Sequence, residues 1–236
     1  MRVLIGIDDT DDAISDSSTS LLACELGASL ADAAQFIGCV EHRLHGGVSA
    51  TTNNQASCLV LDCERDALDR LFERVVAGVE ARAAPSSAPG VVLACDDAGD
   101  LIGFGREASR REIGADETAA ILAHRRIAGF GSRRGLVGAA AAVGLTTRGW
   151  SGRWVGFAGL REAACVMQVR ELSALGVALV SLETDAEAPG PNDRVMHGWS
   201  EPLLVGRRAV LPLRRVGVGL WAAVSANKDR PELHRD

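Results

Sequence analysis

The chain opens on the apolar run Val-Leu-Ile-Gly-Ile at residues 3–7, which predicts a strand over 2–7 that stops at a cluster of aspartates. Leu21, Leu22, Leu26 and Leu30 then recur near helical spacing and predict a helix over 18–34, with serines ahead of it as caps. Strands are expected over 36–44 and 56–61, joined by a Gly, Thr and Asn-rich loop, and a helix over 64–83. Two prolines among small residues at 84–90 break the pattern, so a domain boundary is placed at residue 86. The second half restarts with a strand over 91–94 and a helix from 106 towards 124. A helix over 136–143 follows, where Gly138 and the alanines at 139–142 imply close packing on a neighbour. Strands over 154–157, 177–182 and 208–213 and a helix over 169–175 complete the expectation. Elements that do not alternate strictly favour the α+β class. The divisions are 1–86, 87–215 and a tail over 216–236.

Composition adds little to that picture. With 47% hydrophobic and 24% charged residues in 236, the chain has the make-up of a folded globular protein. No apolar stretch reaches the roughly 18 to 20 residues that cross a bilayer, and the N-terminus lacks the regions of a signal peptide, so a cytoplasmic location without membrane association is expected. The six cysteines include no C-x-x-C pair and read as free thiols. A formal charge of −6 does not favour nucleic acid as a partner of the whole surface.

The acidic cluster carries the chemistry. Asp8, Asp9, Asp11 and Asp12 follow the first strand directly, with Asp16 beyond. Carboxylates so close repel one another unless a cation sits among them, and magnesium suits hard oxygen ligands shared with phosphates. Asp8, Asp9 and Asp11 are therefore candidate metal ligands, and Thr10 could add an oxygen. Ser17, Ser18, Thr19 and Ser20 open the next helix, where free N–H groups attract anions; one hydroxyl suffices for capping, and the others fit phosphate. Gly129, Gly131 and Gly135 enclose Arg133 and Arg134 just before the alanine helix, a second candidate anion site, although a turn between two elements also needs glycine. The polar stretch at 51–55 could read a ligand or form an ordinary loop. His42 and His45 fall on opposite strand faces and make no metal pair. Neither a Walker loop nor a G-x-S-x-G elbow is present.

Gly6-Ile7-Asp8-Asp9-Thr10-Asp11 with the hydroxyl-rich helix start resembles the opening of the archaeal tRNA agmatinylcytidine synthetases, which modify the wobble cytidine of an isoleucine tRNA. The segment from Arg133 to Gly144 is similar to that family's glycine-rich lead into an alanine helix. The stretches Asn192-Asp193-Arg194-Val195 and Pro202 to Arg208 are similar to a later segment of it. The resemblance covers residues 1 to about 215. It implies a kinase-like α/β N-terminal domain that uses ATP and Mg2+, followed by a ferredoxin-like domain, with agmatine near their junction. Asp8, Asp9 and Asp11 would take metal and phosphate roles, and Ser18 and Thr19 would stand at the family's paired threonines, one of which can carry phosphate. The chain departs from the family in three places. Asp16-Ser17 replaces Met-Cys, the polar loop at 51–55 lacks the family's basic residues, and the OB-fold and zinc-ribbon modules that grip tRNA are absent.

The expected function is an ATP- and Mg2+-dependent ligase or kinase-like enzyme that activates an oxygen by phosphoryl transfer, Asp8, Asp9, Asp11, Ser18 and Thr19 acting in catalysis. Thr10, Ser17, Ser18, Arg133 and Arg134 would hold the nucleotide. The acceptor is expected to be a small molecule, with an amine as a further co-substrate. Modification of a tRNA wobble cytidine, alone or with an RNA-binding partner, is the second expectation, and a non-enzymatic nucleotide-binding protein the third.

Overall fold

The computed structural model describes residues 1–12, 14, 17–46, 54–95, 98–184, 187–198 and 200–224. Asp16, residues 51–53 and the polar terminus at 225–236 lie outside the described residues. The chain runs β1 (Arg2–Asp8), α1 (Thr19–Ser29), β2 (Gln35–Arg43), β3 (Gln55–Asp62), α2 (Leu68–Arg82) and β4 (Gly90–Cys95). After these come α3 (Leu101–Ala108), α4 (Ala115–Leu122), β5 (Arg126–Gly129), α5 (Gly135–Arg148) and β6 (Arg153–Phe157). The remainder is β7 (Val166–Gln168), α6 (Val169–Ala174), β8 (Val177–Ser181), β9 (Arg194–Met196), β10 (Leu203–Val205), β11 (Arg208–Gly217) and β12 (Leu220–Ala223).

The fold is α+β, built on one sheet in the order β5-β4-β1-β3-β2-β6-β10-β11-β12-β9-β7, with β8 beside β11. β1 sits between β3 and β4, antiparallel to both, and β2 pairs antiparallel with β3. The first six elements thus form the split βαββαβ arrangement of ferredoxin-like folds, here within residues 2–95. Residue 86 falls in the connection between α2 and β4, and because β4 pairs with β1 the sheet continues across the expected boundary.

Alternation along β1 divides the core. Val3, Ile5 and Ile7 pack with Leu22 and Leu26 of α1 and Leu71, Val75 and Val79 of α2. Leu4 points the other way, among Leu101 and Phe104 of α3 and the alanines of α5. A third cluster around Leu172, Leu211, Leu213 and Trp221 packs α6 on the later strands. Each fully buried aliphatic side chain contributes about 1.5–3 kcal/mol.

Several expectations change. α1 ends at Ser29, before the expected 34, and Leu21 points outward at 44% exposure. The expected helix over 106–124 is two helices, parted by the polar stretch 109–114. The expected tail over 216–236 begins with the end of β11 and all of β12. α5 extends to Arg148 and stops at Gly149, whose φ of 74° is left-handed.

Candidate active site

The close approach of α5 to β1 builds the site. Gly6 faces α5 so tightly that a Cβ there would lie 2.0 Å from the Ala139 carbonyl oxygen. Two residues on, Asp8 lies under the first turn of α5, and a Cβ at Gly138 would stand 1.9 Å from its Oδ2. Burial raises the Asp8 carboxyl well above the ordinary range, and the charges of Asp9 and Asp11 add to the effect. An Asp9 backbone hydrogen bond and the Arg134 charge work against it.

Asp9 takes a left-handed backbone, φ 57°, which turns its side chain away from the strand. Its Oδ2 accepts from Arg134 Nε at 2.6 Å and from the Ala88 N–H at 3.2 Å. Arg134 precedes α5 directly, and the hydrogen bond to Asp9 raises its pKa further. Arg133 is also left-handed, φ 61°, and stays exposed. The two arginines inside the glycine-rich loop thus diverge: one is bound to the acidic loop and the other faces solvent.

The hydroxyl run divides likewise. Thr19 Oγ1 donates to Asp11 Oδ1 at 2.6 Å and accepts from Thr10 Oγ1 at 3.0 Å and Thr10 N at 3.3 Å. Thr10 and Thr19 are both buried, so the Thr19 hydroxyl is committed to shaping the loop, a role that differs from the expected phosphate acceptor. Ser18 is the exposed N-cap of α1 and accepts from Leu21 N at 3.2 Å. Ser17 beside it is exposed too.

Two groups of residues escaped the sequence reading. The first is the stretch 84–88, which straps the acidic loop. Ala84 N donates to the Thr10 carbonyl at 2.9 Å, Ser86 Oγ to Asp12 Oδ2 at 2.6 Å, and Ala88 N to Asp9. The second is a charged network beside α1. Ser20 Oγ donates to Glu41 Oε2 at 2.9 Å, Arg153 donates twice to Glu41 Oε1, and Arg153 Nη1 lies 3.0 Å from Glu201 Oε2. Burial raises the Glu201 carboxyl, against the pull of Arg153. Glu41 lies in the stretch Gly38–His42 that β2 buries throughout, and a carboxylate inside that expected strand was the available signal.

Among the described residues no three acidic, His or Cys side chains gather as a metal cage. The expected set of Asp8, Asp9 and Asp11 is not assembled as three convergent ligands, because Asp9 is drawn to Arg134 and Asp11 to Thr19. Magnesium is usually held by one or two carboxylates plus water and phosphate. The raised carboxyl of Asp8, with Asp11 close enough to contribute to the rise, fits that smaller donor set.

Solved structures share this fold over part of their length. The chain is 26% identical to TiaS in a complex with an isoleucine tRNA and ATP, with a TM-score of 0.57 over 61% of this chain and 36% of that one. Apo TiaS, a tRNA agmatidine synthetase, gives 26% identity and a TM-score of 0.56 over 61% and 35%. TiaS in a complex with the same tRNA, AMPCPP and agmatine gives 25% and 0.54 over 61% and 36%. The fold is therefore TiaS-like, and the chain spans about a third of the length of these neighbours. No protein-family model and no curated protein matches it. No helix among the described residues is long and apolar enough to cross a membrane.

Proposed function

We propose that this chain is an ATP-dependent enzyme of the agmatinylcytidine synthetase type, which transfers a phosphoryl group to an oxygen of an acceptor where the acidic loop, the start of α1 and the start of α5 meet. The convergence of the acidic loop with the starts of two helices supports this reading, carried above all by the Asp9–Arg134 contact. The similarity to TiaS solved with ATP and with AMPCPP adds the nucleotide.

Arg134 and Arg133 would stabilise negative charge on the phosphates, and Ser17 and Ser18 would receive them at the α1 N-terminus. Asp9 orients Arg134, while Thr10, Asp11 and Thr19 hold the loop in shape. Asp8 and Asp11 would hold magnesium, whose bound form offsets phosphate charge. A small-molecule acceptor remains the reading for this chain, with an amine as the second nucleophile.

Protein incubated with γ-labelled ATP should transfer or release label only when magnesium is supplied, and Asp8→Asn should abolish this. Label release that Asp8→Asn leaves intact would overturn the assignment. The second reading keeps tRNA as the acceptor, favoured by neighbours solved with an isoleucine tRNA. It requires tRNA binding that weakens steeply with salt.

A further inference from the structure

α1 lies antiparallel along β2, and two contacts fix its register. Ser20 Oγ meets Glu41 Oε2 at 2.9 Å towards one end, and a Cβ at Gly27 would lie 2.4 Å from the Phe36 ring towards the other. Between these contacts Cys24 falls opposite Cys39. Ser20 and Cys24 share a helix face one turn apart, about 6 Å, and Glu41 and Cys39 share a strand face two residues apart, about 6.6 Å. The Ser20–Glu41 contact thus carries the two cysteines together.

Gly156 of β6, which pairs with Cys39, marks their meeting point. A Cβ there would stand 2.5 Å from Cys24 Sγ and 4.0 Å from Cys39 Cβ, so Cys24 fills the room that this glycine leaves beside Cys39. The two thiols share a hydrogen bond, which lowers the Cys24 pKa and, with burial, raises that of Cys39. Burial of Cys24 opposes the lowering, and the Arg161 charge assists it. Cys24 is partly exposed and Cys39 is buried. The sulfur that ionises more readily is therefore also the one that solvent reaches, and a second sulfur stands behind it. Cys58 belongs to the other core layer, where burial pushes its thiol up to about 12.

Two small apolar side chains would fill this space equally well, but they would not place an accessible thiol against a buried one. We propose that Cys24 and Cys39 form a reversible redox pair, in which a peroxide oxidises Cys24 and Cys39 closes a disulfide between α1 and β2. The Cys24 thiolate attacks one peroxide oxygen, the O–O bond breaks, and the departing hydroxide takes up a proton as water, leaving Cys24 as a sulfenic acid. The Cys39 sulfur then attacks the Cys24 sulfur, the S–O bond breaks, and that hydroxide leaves as water with the Cys39 proton. Both thiols are oxidised, and the peroxide is reduced to water.

The test adds hydrogen peroxide in steps to the folded, reduced protein until the exposed Cys165 loses its thiol, blocking free thiols with iodoacetamide at each step before tryptic mass mapping. No Lys or Arg lies between Arg2 and Arg43, so the peptide 3–43 carries Cys24 and Cys39 and no other cysteine. Before Cys165 reacts, this peptide should lose both alkylatable thiols together and become about 2 Da lighter than its reduced form. Cleavage after Glu25 should then leave its halves joined until dithiothreitol parts them. In Cys39→Ser the reaction should stop at a Cys24 sulfenic acid that dimedone captures, and in Cys24→Ser the Cys39 thiol should persist. The wild-type map needs no variant, so it decides the pairing even if either variant fails to fold. Cys24 still alkylatable once Cys165 has reacted, Cys24 joined to another cysteine, or oxidised Cys24 beside a free Cys39 would each overturn the proposal.

Discussion

Asp9 and Arg134 stand 125 residues apart in the chain and 2.6 Å apart in space. Asp9 is 11% exposed and Arg134 50%, so solvent screens half of the pair. Arg134→Ala should therefore cost only about 0.5–1 kcal/mol in a urea titration. The same change should weaken ATP binding at least about tenfold by calorimetry, because the proposed nucleotide site would lose a cation for its phosphates. Unchanged nucleotide affinity would remove Arg134 from the proposed site.

Gly138→Ala tests the packing under the first turn of α5. The added methyl would fall on the Asp8 carboxylate, which must move or be displaced. A loss of about 1–3 kcal/mol is expected from overpacking, together with loss of the proposed magnesium-dependent ATP reaction. Wild-type stability in Gly138→Ala would show that α5 can shift away from β1.

The two threonine-like positions should respond differently. Thr19→Val removes a buried hydroxyl that bonds Asp11 and Thr10, at a cost of roughly 2 kcal/mol. Ser18→Ala removes an exposed helix cap, at a cost of about 1 kcal/mol. If Thr19 served only as a phosphate acceptor, Thr19→Val would abolish transfer without lowering the midpoint of unfolding.

Burial lowers the His42 pKa from 6.5 to about 3, so the folded protein keeps this ring neutral. Below pH 6.5 the unfolded chain takes up a proton that the native state refuses. This one residue therefore costs up to about 1.4 kcal/mol per pH unit as pH falls from 6.5 towards 3, and costs nothing above that window. His42→Gln should flatten the acid limb of the stability curve relative to the wild type. Parallel curves between pH 4 and 6 would contradict a neutral buried ring.

Local patterns in the sequence were enough to locate β1, β2, β3 and α2 and to predict the tight seat of α5, because an apolar stripe or a run of small residues is a property of neighbours in the chain. They could not disclose that β4 lies against β1, since that pairing joins residues some 85 apart. Proline and small residues at 84–88 looked like a divide for the same reason: their hydrogen bonds go to Thr10, Asp12 and Asp9. β9, β10 and β12 have three or four residues each, too few for alternation to register. The acidic loop was visible as composition, whereas the separate fates of its carboxylates depended on partners from distant segments.

Surface connections normally tolerate extra residues at little thermodynamic cost, because closure entropy grows slowly with length. The segment between α2 and β4 is fastened to the aspartate loop at three points. Lengthening it by even a few residues should leave the helices and sheet intact yet slacken those anchors. Its length is thus a gauge that sets where the carboxylates rest, and insertions there should impair the chemistry long before they melt the protein.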